Sequence, residues 1–443
     1  MKKLLFIVVD GGAGRPIKSL GNKTPFEASD SPNLDYIARN GINGIMQILP
    51  IPPESDEAVL SLLGFDVFES HTGRGPLEAI GAGVPFKDGD LALRCNFAYV
   101  KGDDIIDIRA GNIPSNEAKK FEWDLNEKIE LHGVKFRFKS TVGYRGVLVI
   151  EKPNGSLSAK ISNTHPGYHL ENFETLWNRY GESKSIPLSI ANEKPVMKMK
   201  SVTPLEHTKK AALSANLVNE FIQKSRLVLE KHKTNLKRMS EKKLPANIVL
   251  TRDAGNKVPR LADFKEVYDM RWASFADMPV EKGIAQLCGM DTIPLPQLSA
   301  ETAEADMEED MKIRLNTLLR NLQLYDAFYI HLKGPDPYGH RGEPRGKVKA
   351  IESIDKYFLG PLFEYLDMEN TIIVITCDHS TPCELKAHSA DPVPVAVFGS
   401  GLTPDTSSVF SEASCAKGSL GKLSAMSLMP YLVKLAKGNI DEL

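Results

Sequence analysis

The stretch that decides the fold is Thr371-Ile-Ile-Val-Ile-Thr376, followed directly by Cys377-Asp378-His379. An unbroken β-branched run of this length, closed by charged residues, reads as a strand buried on both faces that delivers Asp378 and His379 at its carboxyl end. The same pattern occurs twice more. Leu4 to Val9 stops at Asp10, and Phe328 to Leu332 runs out just before Asp336. In open α/β sheets ligands bind at the carboxyl ends of parallel strands, so residues distant in sequence can converge there. The expected fold class is therefore α/β, with a mostly parallel sheet between helices.

Asp336-Pro-Tyr-Gly-His340 puts a carboxylate and an imidazole four residues apart, able to share one metal ion through a turn. His388 follows His379 after nine residues in Ala-His388-Ser-Ala-Asp-Pro-Val-Pro. Ser55, in Pro52-Pro53-Glu54-Ser55-Asp56-Glu57, opens a helical run closing near Gly64. It reads either as an N-cap or as a nucleophile, because a helix N-terminus also favours an alkoxide and the phosphate it receives.

Between the strands, Glu206 to about Met239 is expected to form the longest helix, with Leu213, Leu217, Phe221 and Val228 near one face. Its basic end, Lys231 to Lys243, reads as a solvated terminus; without interleaved aromatics it does not suggest a nucleic-acid surface. From Leu91 to Leu188 the pattern changes to alternating, aromatic runs separated by turns such as Lys101-Gly102-Asp103. This predicts an α+β insert. The expected division is a discontinuous catalytic domain, 1–75 and 200–443, interrupted by a substrate-binding domain, 76–199.

With 443 residues, 42% hydrophobic and 25% charged, the chain has the balance of a globular protein of two or three domains. A net charge of −2 supplies no field for nucleic acid or an anionic membrane, so an anionic substrate must be held by local cations. Five scattered cysteines suit a reducing cytoplasm rather than a disulfide framework. Lys2-Lys3 and six apolar residues fall short of a signal peptide, and no run is long enough to span a bilayer.

Taken together, Val9-Asp10-Gly-Gly-Ala-Gly-Arg-Pro16, Lys23-Thr-Pro-Phe-Glu-Ala28, Ser55-Asp56, Gly73-Arg-Gly-Pro-Leu-Glu-Ala79, Arg94-Cys-Asn-Phe97, Asp378-His-Ser-Thr-Pro-Cys383 and His388-Ser-Ala-Asp-Pro-Val-Pro394 resemble the archaeal-type, cofactor-independent phosphoglycerate mutases of the alkaline phosphatase superfamily. The resemblance implies an alkaline-phosphatase-like sheet sandwiched by helices, with a smaller inserted α+β domain. It implies two divalent metal ions, with Mn²⁺ favoured over Zn²⁺ or Mg²⁺ by the mixed ligands. Asp336, His340 and His388 would hold one ion, and Asp10, Ser55, Asp378 and His379 the other. Ser55 would carry the phosphate between the two hydroxyls of glycerate as a phosphoserine, in the cytoplasm.

The resemblance also implies arginine clamps for a small phosphorylated substrate. Here the family's Asp-Arg-Arg-Ala-Gly-Arg reads Asp107-Ile108-Arg109-Ala110-Gly111-Asn112, and its Asp-Thr-Asp-Pro reads Asn163-Thr164-His165-Pro166. Arg109, Arg145, Arg252 and Lys282 are the candidate clamps that remain. The thinned clamp keeps an alternative open, a related metal-dependent phosphotransferase of homoserine kinase type or a phosphomonoesterase. A silent scaffold is the third reading, disfavoured because clustered buried carboxylates need a cation.

Overall fold

A computed structural model describes residues 1–174, 185–192, 195–295 and 306–438. The chain begins with β1 (Lys3–Val9) and β2 (Ile42–Gln47), then builds a second compact unit from β3 (Leu91–Lys101), β4 (Asp104–Asp107), β5 (Lys135–Ser140), β6 (Arg145–Glu151), β7 (Tyr168–Glu174), β8 (Ser185–Ala191) and β9 (Ile248–Gly255). It returns to the first unit with β10 (Trp272–Phe275), β11 (Asp291–Thr292), β12 (Ala327–Leu332), β13 (Thr371–Thr376), β14 (Val393–Gly399) and β15 (Gly421–Ser424).

The first unit comprises residues 1–69, 261–277 and 284–443. Its eight-stranded sheet has the order β11-β10-β12-β1-β13-β14-β2-β15. β1 lies parallel to both β12 and β13, with Val8 level with His331 on one side and Thr376 on the other. All three strands are apolar on both faces and almost wholly buried, as the unbroken runs predict. Because they end level, Asp10, Lys333, Asp336 and Asp378 leave the sheet at one rim. β14 runs antiparallel to both neighbours, so the sheet is mixed.

The second unit spans residues 70–260 and 278–283. The boundary at 260 differs from the expected 199 for a definite reason. β9 pairs antiparallel along β3, and the helix Lys209–Glu230 buries Leu217, Val218 and Phe221 in the same core as Phe97 and Phe138. The segment 200–260 thus completes the insert. The expected long helix is in fact two, Lys209–Glu230 and Lys233–Ser240, separated where His232 accepts a hydrogen bond from Thr234 N at 3.1 Å and caps the second.

No helix among the described residues is long and apolar enough to cross a membrane. All five cysteines are buried free thiols.

Candidate functional site

The rim of the first unit gathers two groups of ligand-type side chains. In one, Asp336 Oδ1 lies 3.4 Å from His340 Nε2 and 3.6 Å from His388 Nε2, and the two Nε2 atoms are 3.2 Å apart. Each imidazole is turned by its other nitrogen. His340 Nδ1 contacts Lys386 O at 3.1 Å, and His388 Nδ1 donates to Pro53 O at 2.7 Å. Asp336 and His340 stand one turn apart on the helix Pro335–Arg341, not on the turn their spacing suggested.

In the other group, Asp378 Oδ1 accepts from Gly11 N and His379 N, both at 2.9 Å, which directs Oδ2 away from the backbone. Asp10 Oδ2 pairs with Lys333 Nζ at 3.0 Å. His379 Nδ1 lies 3.1 Å from Thr381 Oγ1, whose own proton goes to Asp336 Oδ1 at 2.7 Å, so Nδ1 carries the hydrogen and Nε2 the lone pair. Nε2 stands 3.6 Å from Asp10 Oδ1 and 3.3 Å from Asp378 Oδ2. These three atoms are buried and have no hydrogen-bond partner among the described residues. Three orphaned donors converging on one point fit a divalent cation, since no such group stays unpaired in a core without cost.

Electrostatics agree. Burial opposes charge on Asp10, yet Lys333, His331 and His379 together hold its carboxyl well below the usual range. Burial likewise disfavours an imidazolium at His388, but Asp336 and Glu54 push that pKa to about 10. Gly11 is required here: it holds φ +55°, and a Cβ would come within 2.6 Å of Asp336 Oδ1.

Ser55 is the first residue of the helix Ser55–Leu62, and Glu54 rather than Ser55 is the N-cap, its N–H bonded to Glu57 Oε2 at 2.8 Å. The serine hydroxyl is therefore not consumed as a cap. The His388 contact to Pro53 O brings this helix start beside the Asp336 group.

The second unit holds a cluster of the opposite sign. Arg94 on β3 is level with Arg252 on β9, and its neighbour Asn96 with Arg145 on β6. Arg74 opens the helix Arg74–Gly81 and reaches Glu78 Oε1 at 3.1 Å, while Arg94 Nε is 3.6 Å from the same oxygen. Arg252 pairs with Asp253 at 2.7 Å and stacks 3.6 Å above the Tyr168 ring. Four guanidinium groups thus face two carboxylates. Burial and then Arg252 and Arg74 push Arg94 down to about 10, which leaves it charged at neutral pH but electrostatically crowded. Buried Arg94 Nε and Arg145 Nε find no acceptor. An anion would satisfy them.

Of the expected clamps, Arg145 and Arg252 belong to this cradle. Arg109 is exposed, and Lys282 is half-buried on the helix Pro279–Leu287. Arg74 and Arg94 were missed as clamps although their segments carried the resemblance. His331, Lys333 and Thr381 were missed as well, although His331 and Lys333 flank the end of the strand Ala327–Leu332 and Thr381 lies in the segment that follows Thr371–Thr376.

Comparison with known proteins follows the same lines. A family model described as 2,3-bisphosphoglycerate-independent phosphoglycerate mutase matches residues 38–235. The mutase of that name from Methanopyrus kandleri is 38% identical over 98% of this chain and 96% of its own length. The chain belongs to this family. The mutase of that name from Aeropyrum pernix is 37% identical over 98% of this chain and its entire own length. Among solved structures, the cofactor-independent phosphoglycerate mutase of Thermoplasma acidophilum superposes with TM-score 0.61 at 28% identity, covering 98% of this chain and 100% of that one. The PH0037 protein of Pyrococcus horikoshii superposes with TM-score 0.75, also at 28% identity, covering 98% and 97%. The mutase family thus shares this fold along the whole chain.

Proposed function

We propose that this chain interconverts 3-phosphoglycerate and 2-phosphoglycerate, with Ser55 carrying the phosphoryl group between the two transfers. As a member of the family the chain is an isomerase, and the alternative of a homoserine kinase-like or phosphatase activity is not favoured. The observation that carries the site reading is the convergence of Asp10 Oδ1, Asp378 Oδ2 and His379 Nε2, all buried and unpaired. Asp10, Ser55, Asp378 and His379 would hold one divalent cation, and Asp336, His340 and His388 the other. Mixed oxygen and nitrogen ligands favour Mn²⁺. Bound there, the cations supply charge neutralisation for the phosphoryl oxygens and a lowered pKa for a hydroxyl.

The chain's own residues do the rest. Ser55 Oγ attacks phosphorus from the start of its helix, where the dipole favours the phosphorylated side chain. The P–O bond to glycerate breaks as the bond to Ser55 forms, and the leaving oxygen takes a proton. The reverse transfer to the neighbouring hydroxyl restores the serine. Arg74, Arg94, Arg145 and Arg252 are proposed to recognise the anionic glycerate through charge-assisted hydrogen bonds, in place of the arginines absent at Ile108 and Asn112. The buried thiols fit a reducing cytoplasm.

The test is an assay of 3-phosphoglycerate with Mn²⁺, measuring 2-phosphoglycerate and inorganic phosphate together. Product should far exceed phosphate, and Ser55→Ala should lower turnover about 1,000-fold or more with little change in melting temperature. Phosphate in large excess over 2-phosphoglycerate would replace the mutase by a hydrolase.

A further inference from the structure

We infer that His331 is an additional ligand of the Asp10–Asp378 centre, held in place by Tyr329, so that this centre offers two imidazole nitrogens rather than one. The inference rests on the metal-site reading above and extends it to a residue outside the set the resemblance implied.

His331 lies near the end of β12 and is fully buried. Its Nδ1 is 2.9 Å from Tyr329 OH, two residues back on the same face of the strand. With that nitrogen engaged, Nε2 is directed at the centre. It stands 3.7 Å from Asp10 Oδ1 and 3.5 Å from Asp378 Oδ2. His379 Nε2 is 3.6 and 3.3 Å from the same two oxygens.

Those four separations are the decisive observation. A regular tetrahedron of donors bonded at about 2.1 Å has edges of about 3.4 Å, and four of its six edges are accounted for here. All four side chains share one design. Each engages one polar atom with the protein, through Gly11 N and His379 N for Asp378, Lys333 for Asp10, Thr381 for His379 and Tyr329 for His331, and turns the other inward, His331 Nε2 doing so beside Lys333 Nζ. This is how protein-held ligands are oriented around an ion. Two nitrogens and two oxygens suit Mn²⁺, Co²⁺ or Zn²⁺ and count against Mg²⁺. Ser55 would then be an added, exchangeable fifth ligand, as catalytic centres that expand their coordination allow.

A rival exists in the same geometry: Lys333 Nζ is 3.4 Å from His331 Nε2 and could instead donate to it. Then His331 would merely help to neutralise Asp10.

The experiment is Co²⁺ titration of the full chain, followed by visible absorption and by bound-metal analysis. His331→Ala should weaken one of two sites by more than 100-fold and change its ligand-field spectrum, leaving the Asp336–His340–His388 site filled. Tyr329→Phe should weaken the same site by about 10- to 100-fold. Unchanged affinity and spectrum in His331→Ala would overturn the inference. A measurement on otherwise native ligands guards against misfolding. In His388→Ala, which cripples the other centre, pulsed EPR of bound Mn²⁺ should count two coupled imidazole nitrogens. One nitrogen overturns the role of His331 and leaves the parent reading intact; no Mn²⁺ at this centre overturns both.

Discussion

The carboxylate and imidazole rim of the first unit and the arginine cradle of the second are opposite electrostatic problems. Around Asp10, Asp336 and Asp378 acidic oxygens and imidazoles crowd together, and Asp336 and Glu54 raise the pKa of His388 to about 10 against its burial. Around Arg94 four guanidinium groups share Glu78 and Asp253, and the surplus is positive. Neither arrangement is relaxed by the protein alone, and in each the frustrated atoms are buried. Burial without partners is costly, so such sites mark where a ligand of opposite charge completes the structure. The difference teaches a division of labour. In the proposed function, one region holds cations and carries the phosphoryl transfer, and the other holds an anion.

The comparison breaks most visibly through metal content. Asp378→Asn should lower bound metal and activity together, by about 100-fold or more in turnover, because it alters an inward-facing oxygen. Full occupancy by elemental analysis would contradict the assignment. Arg94→Met should separate the two regions. Binding of 3-phosphoglycerate weakens by about 10- to 100-fold, the worth of a charged hydrogen bond of about 1.5–3 kcal/mol, while metal content stays constant. Since Glu78 keeps Arg74, the ligand-free variant should melt no lower than the parent. Loss of metal in Arg94→Met would join what we have separated.

A smaller effect tests the cradle's charge through pH. Burial, then Arg252 and Arg94, hold His165 at about 3, below its ordinary 6.5. Between those values the unfolded chain binds a proton there that the native one does not, so stability rises with pH and is lost as pH falls below 6.5. The slope is about 1.4 kcal/mol per pH unit, or about 2 kcal/mol at pH 5. His165→Gln should remove that difference in urea midpoints; an unchanged slope would show that the fold does not oppose protonation of this buried histidine. The smallest effect is expected at Arg109. It is exposed, so Arg109→Ala should change kcat/KM by less than about twofold.

How much was legible follows from the same contrast. The proposed metal ligands follow apolar runs, and a strand that ends at Asp10 or Asp378 advertises its last residues because both faces before them must be apolar. Chain order therefore preserves the signal. The cradle lies within strands: Arg94, Arg252 and Arg145 become neighbours only through the pairing of β3 with β9 and β6. Nothing local to Arg94 distinguishes it from Arg109, which stands in a turn. The insert's far boundary was hidden likewise, since β9 joins its sheet from about 150 residues downstream of β3, a pairing that local periodicity cannot report.

Sequence by itself determined the class of chemistry and the elements that carry it. Short apolar runs dictated buried strands, and their polar terminators dictated what those strands present. Tertiary structure alone decided which atom of each side chain is used. Thr381 sets the tautomer of His379, Tyr329 engages His331 Nδ1, Lys333 takes one oxygen of Asp10, and Glu54 relieves Ser55 of capping. These assignments depend on hydrogen bonds whose partners lie far apart in the chain, as Lys333 and Asp10 do, or are brought together only by the local backbone path, as Tyr329 and His331 or Thr381 and His379 are. Hydrogen bonding acts over about 3 Å in space, whereas sequence patterns record only period and adjacency.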